Sequence, residues 1–534
     1  MSVLCSVNTK SQKTIVFRKK HMSFNLTQAP WIPVVSQDWQ RKEISLIELF
    51  QTWGELREIQ ADNPPTTLSL HRFLAALLHH VYQGPKNEDH WEEIQSDDGI
   101  KAIAYLKNNP DYFDLLHRDR PFMQDPTLTS DLAGEIYQAY VLHGNNTSTV
   151  FCHEHQWSGN TLPIPAAARL VLRLHLFDVG GRKTGSAISA GVIPTMDAAN
   201  VLVRGKTLQK TLLLNLMQYD GKEKPCVVTG EDLPAWERGS KPASERIPAG
   251  YIDYLTYQWR RVRLFVEGDQ AVRVAFHAGD RLPKDLSSTQ WECGIAYVKN
   301  PKGLFTVRLN LNRSLWRDSA AFLQSPEAGN CPRIIEWLAE LQAGKFIDTY
   351  LNLQILGLTV DNAKPLGWTS EQFSAPIAYL KQKPLWQALV VALKVAEEHQ
   401  QIFRSFQGSP YHALAKALNH PDAGSFAKSL DGESRYWATL DRAFQPLLSE
   451  LIEDKTVDGN GTSYGDRVSP EWQKTVQDAA KRAFTDSIAS IRNYEARAKA
   501  LRSLDYQLAK LRGEKDEKSG KGKKTTKKAQ AQVS

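Results

Sequence analysis

The spacing of apolar residues predicts a helix early in the chain. Between Pro64-Pro65 and Gly84-Pro85, apolar side chains recur every three or four residues: Leu70, Phe73, Leu74, Leu77, Leu78, Val81 and Tyr82. This period matches one face of an α-helix, and proline at both boundaries marks where the helix begins and ends. His71, His79 and His80 lie on it without a carboxylate or cysteine at ligand spacing, which indicates ordinary core or surface histidines.

From about residue 165 to 310 the pattern changes and predicts strands. Residues 171–177 and 303–309 alternate between apolar and polar side chains, as half-buried strands do. Residues 295–303 predict a β-hairpin, because Asn300-Pro301 and Gly303 mark a turn. Lys299 and Lys302 are then expected at its tip. Further on, the apolar run 353–360 ends in a turn at residues 361–365.

Beyond about residue 375 the strand signals nearly vanish and long helical patterns follow. Pro384 opens one helix, a second spans Tyr436 to Leu451 with Pro446 as a kink, and Ser469 caps a third that continues to Leu501. Short connections between such helices favour an antiparallel bundle. The last helix carries a row of basic residues: Arg482, Arg492, Arg497, Lys499, Arg502, Lys510 and Arg512. A solvated face and a DNA-contacting face both explain this row.

Length and charge divide the chain into four parts. A chain of 534 residues exceeds what one core usually organises, which favours two domains. Residues 1–22 carry +5 and residues 513–534 carry +4 of a formal net charge of +7, which leaves −2 for the body. We predict an α+β protein with a basic disordered leader at 1–22 and a large mixed α/β domain with irregular loops at 23–374. An antiparallel four-helix bundle at 375–512 and a disordered Lys-rich tail at 513–534 complete it.

Cysteine usage and hydropathy predict a soluble cytoplasmic protein. The five cysteines are scattered, odd in number and never closely paired, which argues against a disulfide framework and against a CxxC zinc site. No stretch approaches the roughly 18 to 20 consecutive apolar residues of a membrane span. The apolar runs near the N-terminus are too short and too interrupted for a signal peptide.

Motifs for catalysis are incomplete. The run from Gly180 to Ser186 follows a strand-like segment as a P-loop would, but it lacks the lysine between the last glycine and the serine. His153 and His155 point to one side of a strand or loop with no third metal ligand in view. The sequence therefore favours a protein that is not an enzyme. The alternative is a metal-dependent nucleic-acid-processing enzyme that uses His153, His155 and Asp178 beside the glycine loop.

Three loops have the chemistry for contact with nucleic acid. Glycine removes the side chain that would hold a strand away, so Gly180-Gly181 with the cations that follow suits a phosphate, although a plain tight turn explains it equally well. Lys299 and Lys302 offer point charges that reach a groove or a phosphate. Residues 143–151 form a polar stretch rich in small hydrogen-bonding groups.

Short signatures occur along the chain in a characteristic order: Trp31-Ile32-Pro33-Val34, Arg120 to Gln124, the loop at Gly180-Gly181, Val203 to Thr207, Leu212 to Asn215 and Asp361 to Lys364. Together with the helical last third, they resemble the large subunit of the type I-E CRISPR surveillance complex, the CasA family of Cascade, over about residues 25–510. The resemblance implies a DNA-recognition subunit in an RNA-guided complex. Guide pairing would read most of the target, and this subunit would read a short adjacent motif.

The resemblance also implies roles for individual residues. Contacts to the motif duplex from the minor-groove side fall to Gly180, Gly181, Arg182, Lys183, Lys299, Lys302 and Ala363. The strand wedge falls to Asp361, Asn362 and Lys364, with Asn362 where the family has Gln. Asp361 departs from the family pattern, which has Asn at this position. Phosphates of the DNA would repel its carboxylate. A loop contacting the complex near the 5′ end of the guide comprises Asn145, Asn146, Thr147, Ser148 and Phe151. Contact with the displaced strand falls to Arg492, Arg497 and Arg502.

The implied partners are the guide RNA, target double-stranded DNA, the other Cascade subunits and a helicase-nuclease that acts in trans. Those other subunits are the backbone, 5′-handle-binding and small subunits. No metal, small cofactor or membrane is implied. The alternative within this setting is an architectural subunit that packs its partners through the bundle and reads no motif.

Overall fold

The computed structural model describes residues 22–140, 160–184, 189–284, 286–301, 303–309, 314–323, 331–361, 364–453 and 469–512. The strands are β1 (Ile32–Ser36), β2 (Arg41–Ile44), β3 (Leu56–Ile59), β4 (Gly134–Glu135), β5 (Leu162–Pro163), β6 (Gly181–Arg182), β7 (Ser189–Ala190), β8 (Asn200–Arg204), β9 (Arg260–Glu267), β10 (Gln270–Ala278), β11 (Tyr297–Asn300), β12 (Gly303–Thr306), β13 (Tyr350–Asp361) and β14 (Lys364–Pro376). The helices up to residue 343 are α1 (Leu46–Thr52), α2 (Pro64–Tyr82), α3 (Glu88–Ser96), α4 (Ile100–Asn108), α5 (Ile164–Leu176), α6 (Leu208–Leu214), α7 (Ala235–Arg238), α8 (Tyr251–Leu255), α9 (Ser319–Phe322) and α10 (Arg333–Ala343). The later helices are α11 (Ala378–Lys381), α12 (Lys383–Gln400), α13 (Pro410–Ala417), α14 (Ala423–Ser429), α15 (Gly432–Glu453), α16 (Pro470–Ser487) and α17 (Tyr494–Leu511).

Helix α2 lies at the centre of the N-terminal core, as its apolar period predicts. The Asn63 side chain accepts the Thr66 N–H at 2.9 Å, and two prolines occupy the first helical positions, where no N–H partner is needed. Gln83 ends the helix in the left-handed conformation. The helix packs against α5, α8 and β13, and Phe73 on it meets the rings of Trp31, Phe122 and Trp236.

The paired strands of the described residues are antiparallel and form several small sheets. Two have the orders β2-β1-β3 and β4-β10-β5, with β9 also pairing with β10. A third has the order β14-β13-β8, so its long central strand β13 is buried and β14 forms an edge. Two two-stranded pairs remain, β6-β7 and β11-β12. The hairpin predicted at residues 295–303 is confirmed as β11-β12.

The strand predicted at residues 171–177 is wrong, because residues 171–176 belong to helix α5 and Phe177 is its C-cap. Nearly every side chain of α5 is buried, so its polar residues lie inside the protein. Their spacing among apolar residues resembles the alternation of a β-strand. Arg173 donates to the Phe177 carbonyl at 2.5 Å, and the His175 ring nitrogen Nε2 meets the Met123 carbonyl at 2.8 Å. These bonds satisfy polar groups that an apolar core would otherwise penalise.

The C-terminal region from α11 onwards is helical, as predicted. Ser469 caps α16 by accepting the Trp472 N–H at 3.1 Å, and the Trp472 indole donates to the Ala392 carbonyl of α12 at 2.9 Å. Helices α12, α15 and α16 pack pairwise, and α17 packs mainly against α13. Pro446 lies inside α15. In the described ranges, no helix is both long and apolar enough to cross a membrane.

The third predicted C-terminal helix, which was expected to continue to Leu501, is instead two helices. Helix α16 ends at Ser487, and Asn493 starts α17 by accepting the Ala496 N–H at 3.0 Å. An asparagine side chain competes for backbone N–H groups, which makes it a helix start rather than a helix interior.

Candidate nucleic-acid interface

One stretch of backbone, residues 189–201, holds the three loops to which the family resemblance assigns contact with the motif duplex: Gly180-Gly181, the hairpin of Lys299 and Lys302, and the turn at residues 361–364. Strand β7 of this stretch pairs with β6, so that Gly181 lies opposite Ala190. The Asp197 N–H donates to the Leu358 carbonyl in β13 at 3.2 Å, and the Ala199 N–H donates to the Val307 carbonyl just after β12 at 2.8 Å. We call β6-β7 the glycine ribbon, β11-β12 the lysine hairpin and β13-β14 the turn hairpin. The fold thus joins three elements that are far apart in sequence.

The glycine ribbon places Arg182 at the surface. Gly181 has a φ of +110°, a conformation that side-chain-bearing residues rarely adopt. A Cβ at Gly180 would lie 3.3 Å from the Ala190 carbonyl oxygen, so glycine permits the close pairing with β7. Arg182 is exposed. The ribbon follows helix α5, so the strand that a P-loop requires before its glycines is not there.

Lys183 differs from its predicted role, because its side chain is buried and only 1% exposed. Its ammonium lies 2.9 Å from the Asp178 carboxylate, which also pairs with the Arg260 guanidinium. A phosphate cannot reach an ammonium held in this position, so Lys183 is left out of the contacts proposed below. The same contacts engage Asp178, which the enzyme alternative needs as a metal ligand.

The charge balance of this cluster follows from burial. Burial opposes ionisation of Asp178, but the charges of Arg260 and Lys183 outweigh it and lower the pKa of the carboxyl. Burial lowers the pKa of Lys183, and the nearby Arg260 charge acts in the same direction against the attraction of Asp178. The two cations therefore keep the Asp178 carboxyl ionised, and Lys183 contributes less to this than Arg260 does.

Arg260 is a residue that the sequence patterns missed. Its guanidinium donates to the Val179 carbonyl at 3.1 Å and to the Gly191 carbonyl at 3.0 Å. Val179 precedes β6 and Gly191 follows β7, so both carbonyls lie at the open end of the glycine ribbon. Arg260 thereby fixes the ribbon to β9, and no local motif around residue 260 indicates this.

The lysine hairpin is a short pair of antiparallel strands. Its strands pair as far as Asn300 opposite Gly303, and the Val307 N–H donates to the Ala296 carbonyl at 2.9 Å below them. Val298 and Phe305 face each other across the strands and are 48% and 46% exposed. The backbone of Lys299 lies in β11, whereas its side chain and the whole of Lys302 lie outside the described residues.

The turn hairpin is the longest strand pair among the described residues. Its register runs from Tyr350 opposite Pro376 to Asp361 opposite Lys364, so the chain reverses direction after Asp361, where the sequence predicts a turn. Asn362 and Ala363 lie outside the described residues. Leu366 and Trp368, near the turn on edge strand β14, are exposed apolar side chains. The docking loop of Asn145, Asn146, Thr147, Ser148 and Phe151, together with His153 and His155, also lies outside the described residues.

Known proteins are similar to this chain in sequence and in fold. The family profile described as CRISPR-associated protein Cse1 matches residues 25–483. The CRISPR-associated protein CasA/Cse1 of Thermus thermophilus is 28% identical over 519 residues, which cover 92% of this chain and 97% of that protein. The chain belongs to the Cse1/CasA family, the large subunits of type I-E Cascade.

Solved structures have the same fold as this chain. Thermobifida fusca Cse1 superposes with a TM-score of 0.76 at 24% identity, over 92% of this chain and 98% of that one. Thermus thermophilus CasA gives a TM-score of 0.74 at 25% identity, over 92% and 99%. A chain of a CRISPR RNA-guided surveillance complex gives 0.71 at 20% identity, over 91% and 99%.

Two signatures that suggested the Cse1 family serve the core. Trp31 is buried beside β1 and its indole donates to the Leu26 carbonyl at 3.1 Å. The Gln124 amide donates to the Leu115 carbonyl at 2.7 Å and accepts the Leu264 N–H at 2.9 Å. Trp31 and Gln124 therefore identify the family by the way its core is packed and not by the way it contacts DNA.

Gln124 provides a test of this structural role. Gln124→Ala would leave the Leu115 carbonyl and the Leu264 N–H buried without partners, and we expect a loss of about 2–4 kcal/mol of unfolding free energy. Chemical denaturation of the purified protein measures it. Gln218→Ala removes a similar bond of 2.8 Å to the Lys86 carbonyl at the surface and should change little. Equal effects of the two substitutions would contradict the structural role.

The arginines predicted to hold a displaced strand do not share one helix. Arg492 lies in the connection between α16 and α17 and is exposed. Arg502 is exposed on α17, whereas Arg497 is partly buried with its guanidinium 5.9 Å from the Tyr494 ring centre. Arg492 and Arg502 are thus the more accessible pair.

The described residues hold no group of three or more His, Cys, Asp or Glu side chains arranged to bind a metal ion. His71 and His79 are buried, and burial lowers the pKa of each to about 4. His80 contacts the Glu237 carboxylate at 2.8 Å.

Proposed function

We propose that this Cse1 family protein is the DNA-recognition subunit of a type I-E Cascade. In this role it reads a short motif beside the target from the minor groove, separates the strands to start R-loop formation, and helps recruit a helicase-nuclease. The observation that carries the proposal is the attachment of the glycine ribbon, the lysine hairpin and the turn hairpin to residues 189–201. Elements held on one support can approach one duplex together.

The chemistry of the three elements supports the proposed motif reading and strand separation. Arg182 and Lys299 supply positive charge, which binds phosphate and holds a protein in register on the duplex. The minor groove distinguishes A·T from G·C but little more, so a subunit that reads it tolerates several motifs. The turn at Asp361 to Lys364, with Asn362 and Ala363, ends a well-paired hairpin that can enter between the strands.

Lys302 and the docking loop at 145–151 keep the roles that the family resemblance implies. The partners proposed for this chain are the guide RNA, target duplex and other Cascade subunits, and one of its structural relatives is a chain of a CRISPR RNA-guided surveillance complex. We also propose that the C-terminal helices, in which α12, α15 and α16 pack pairwise and α17 packs mainly against α13, make up the predicted bundle and hold the displaced strand through Arg492 and Arg502. Residues 23–374 and 375–512 then form two domains, and the protein catalyses no reaction itself.

The first test compares guide-loaded complexes with and without this subunit. Duplexes that match the guide and carry a randomised adjacent motif are bound at one fixed salt concentration, because affinity for DNA depends steeply on salt. We expect motif-dependent binding only when the subunit is present. Binding that is indifferent to the subunit would leave it an architectural role, and metal-stimulated cleavage by the purified protein would favour the enzyme alternative.

A further inference from the structure

Asp197 touches two of the three proposed DNA-contacting elements at once. Its backbone N–H donates to the Leu358 carbonyl at 3.2 Å, and its Oδ1 accepts the Val360 N–H at 3.5 Å. Its Oδ2 lies 3.2 Å from Nε of Arg308. Val360 is next to Asp361, the last residue of β13, and Arg308 follows the end of β12 by two residues. One carboxylate therefore links the turn end of the turn hairpin to the base of the lysine hairpin.

The backbone at Asp197 is shaped for this contact. Its φ of 53° lies in the left-handed region, which Asp tolerates better than most residues with a side chain. The side chain is 16% exposed, whereas that of Arg308 is 76% exposed. An ion pair to an exposed arginine contributes little by itself. The shielded carboxylate is held from two sides, by the Val360 N–H and by Arg308, and the Leu358 carbonyl also holds its backbone.

Each hairpin is also anchored separately. The Val307 N–H donates to Ala296, and its carbonyl accepts from Ala199, which fixes the base of the lysine hairpin. Strand β13 is paired on both sides. Removing the Asp197 side chain should therefore leave both hairpins folded and loosen only their placement relative to each other.

We propose that Asp197 is a positioning residue that couples the lysine hairpin to the turn hairpin, so that the two engage a duplex as one unit. This inference rests on the proposed function. Cations that grip the motif duplex can hold the turn against the base pairs only if the two hairpins keep a fixed spacing. Loss of the link should then slow strand opening more than it weakens binding.

The test uses the complete guide-loaded complex and two forms of target, an intact duplex and one already opened by mismatches beside the motif. Strand opening is followed by the reactivity of unpaired thymines towards permanganate. Asp197→Ala is expected to slow opening of the intact duplex about 3- to 10-fold, with binding of the opened duplex unchanged. Asp197→Asn, which keeps an acceptor for Val360 but loses the charge facing Arg308, should fall between wild type and Asp197→Ala.

A matched control comes from a second arginine pair. Arg281 Nε lies 3.2 Å from Glu245, and the Arg281 side chain is 65% exposed, so Arg281→Ala removes a similar charge and contact away from the hairpins. Arg308→Ala should have a smaller effect than Asp197→Ala, and Arg281→Ala should have none. Wild-type opening rates for Asp197→Ala, or equal losses on intact and opened duplexes, would overturn the coupling role. Absence of motif dependence in the wild-type complex would instead overturn the proposed function.

Discussion

Replacing both Arg182 and Lys299 with alanine is expected to weaken motif-dependent binding of the assembled complex by about 10- to 100-fold, since each cation contributes on the order of 1 kcal/mol. Arg182 is exposed on the glycine ribbon, and Lys299 lies in the lysine hairpin. Both elements are attached to residues 189–201, so both losses act on the same part of a bound duplex. The slope of log affinity against log salt should become shallower by about two, because two phosphate contacts are lost.

The measurement is a binding titration of the guide-loaded complex at several salt concentrations. Arg118→Ala with Lys394→Ala is a suitable control, because it removes the same net charge at two exposed positions outside the three elements. The control should leave affinity within about twofold of wild type. Unchanged binding and salt slope in the Arg182 and Lys299 variant would instead favour an architectural subunit.

The elements that were predictable from sequence depend on local signals. Helix α2 has a clear apolar period with prolines at its start, and the lysine hairpin has its turn residues beside two alternating runs. Helix α5 was not predictable, because burial on nearly all sides removes the polar face on which a period depends. The break before α17 depends on one capping side chain, Asn493, within a continuous helical pattern.

The site itself was only partly predictable for a related reason. Sequence predicts cations near Gly181, but it could not show that Lys183 faces inward, because the buried Asp178 that holds it also pairs with Arg260, 82 residues from Asp178. Likewise, Asp197 reaches Val360 across 163 residues. Contacts of this range leave no local pattern, so the sequence indicates the candidate motif residues but not the residues that support them.

Removing the Asp178 carboxylate should be among the most damaging single changes in the described part of the chain. Asp178→Ala leaves the guanidinium of Arg260 and the ammonium of Lys183 buried side by side, each with 1% of its side chain exposed. An uncompensated buried charge costs about 3–5 kcal/mol. Because Arg260 also holds the Val179 and Gly191 carbonyls, we expect the glycine ribbon to loosen first. Hydrogen exchange of residues 178–184 and 189–191, together with urea unfolding, measures both effects.

The pH dependence of the unfolding free energy distinguishes the effect of the Asp178 charge from the effect of its packing. The pKa of Asp178 is lowered from its ordinary value of 3.8, so its stabilising effect is present above that value and disappears as the pH falls through the lowered pKa. Asp178→Asn keeps the shape of the side chain and should lose this acid-dependent part. Asp505→Ala, which breaks an exposed pair with Lys481 at 3.6 Å, should cost less than about 1 kcal/mol. If Asp178→Ala matched that small loss, the carboxylate would not balance the two cations, and the anchoring of the glycine ribbon would depend on the carbonyl bonds of Arg260 alone.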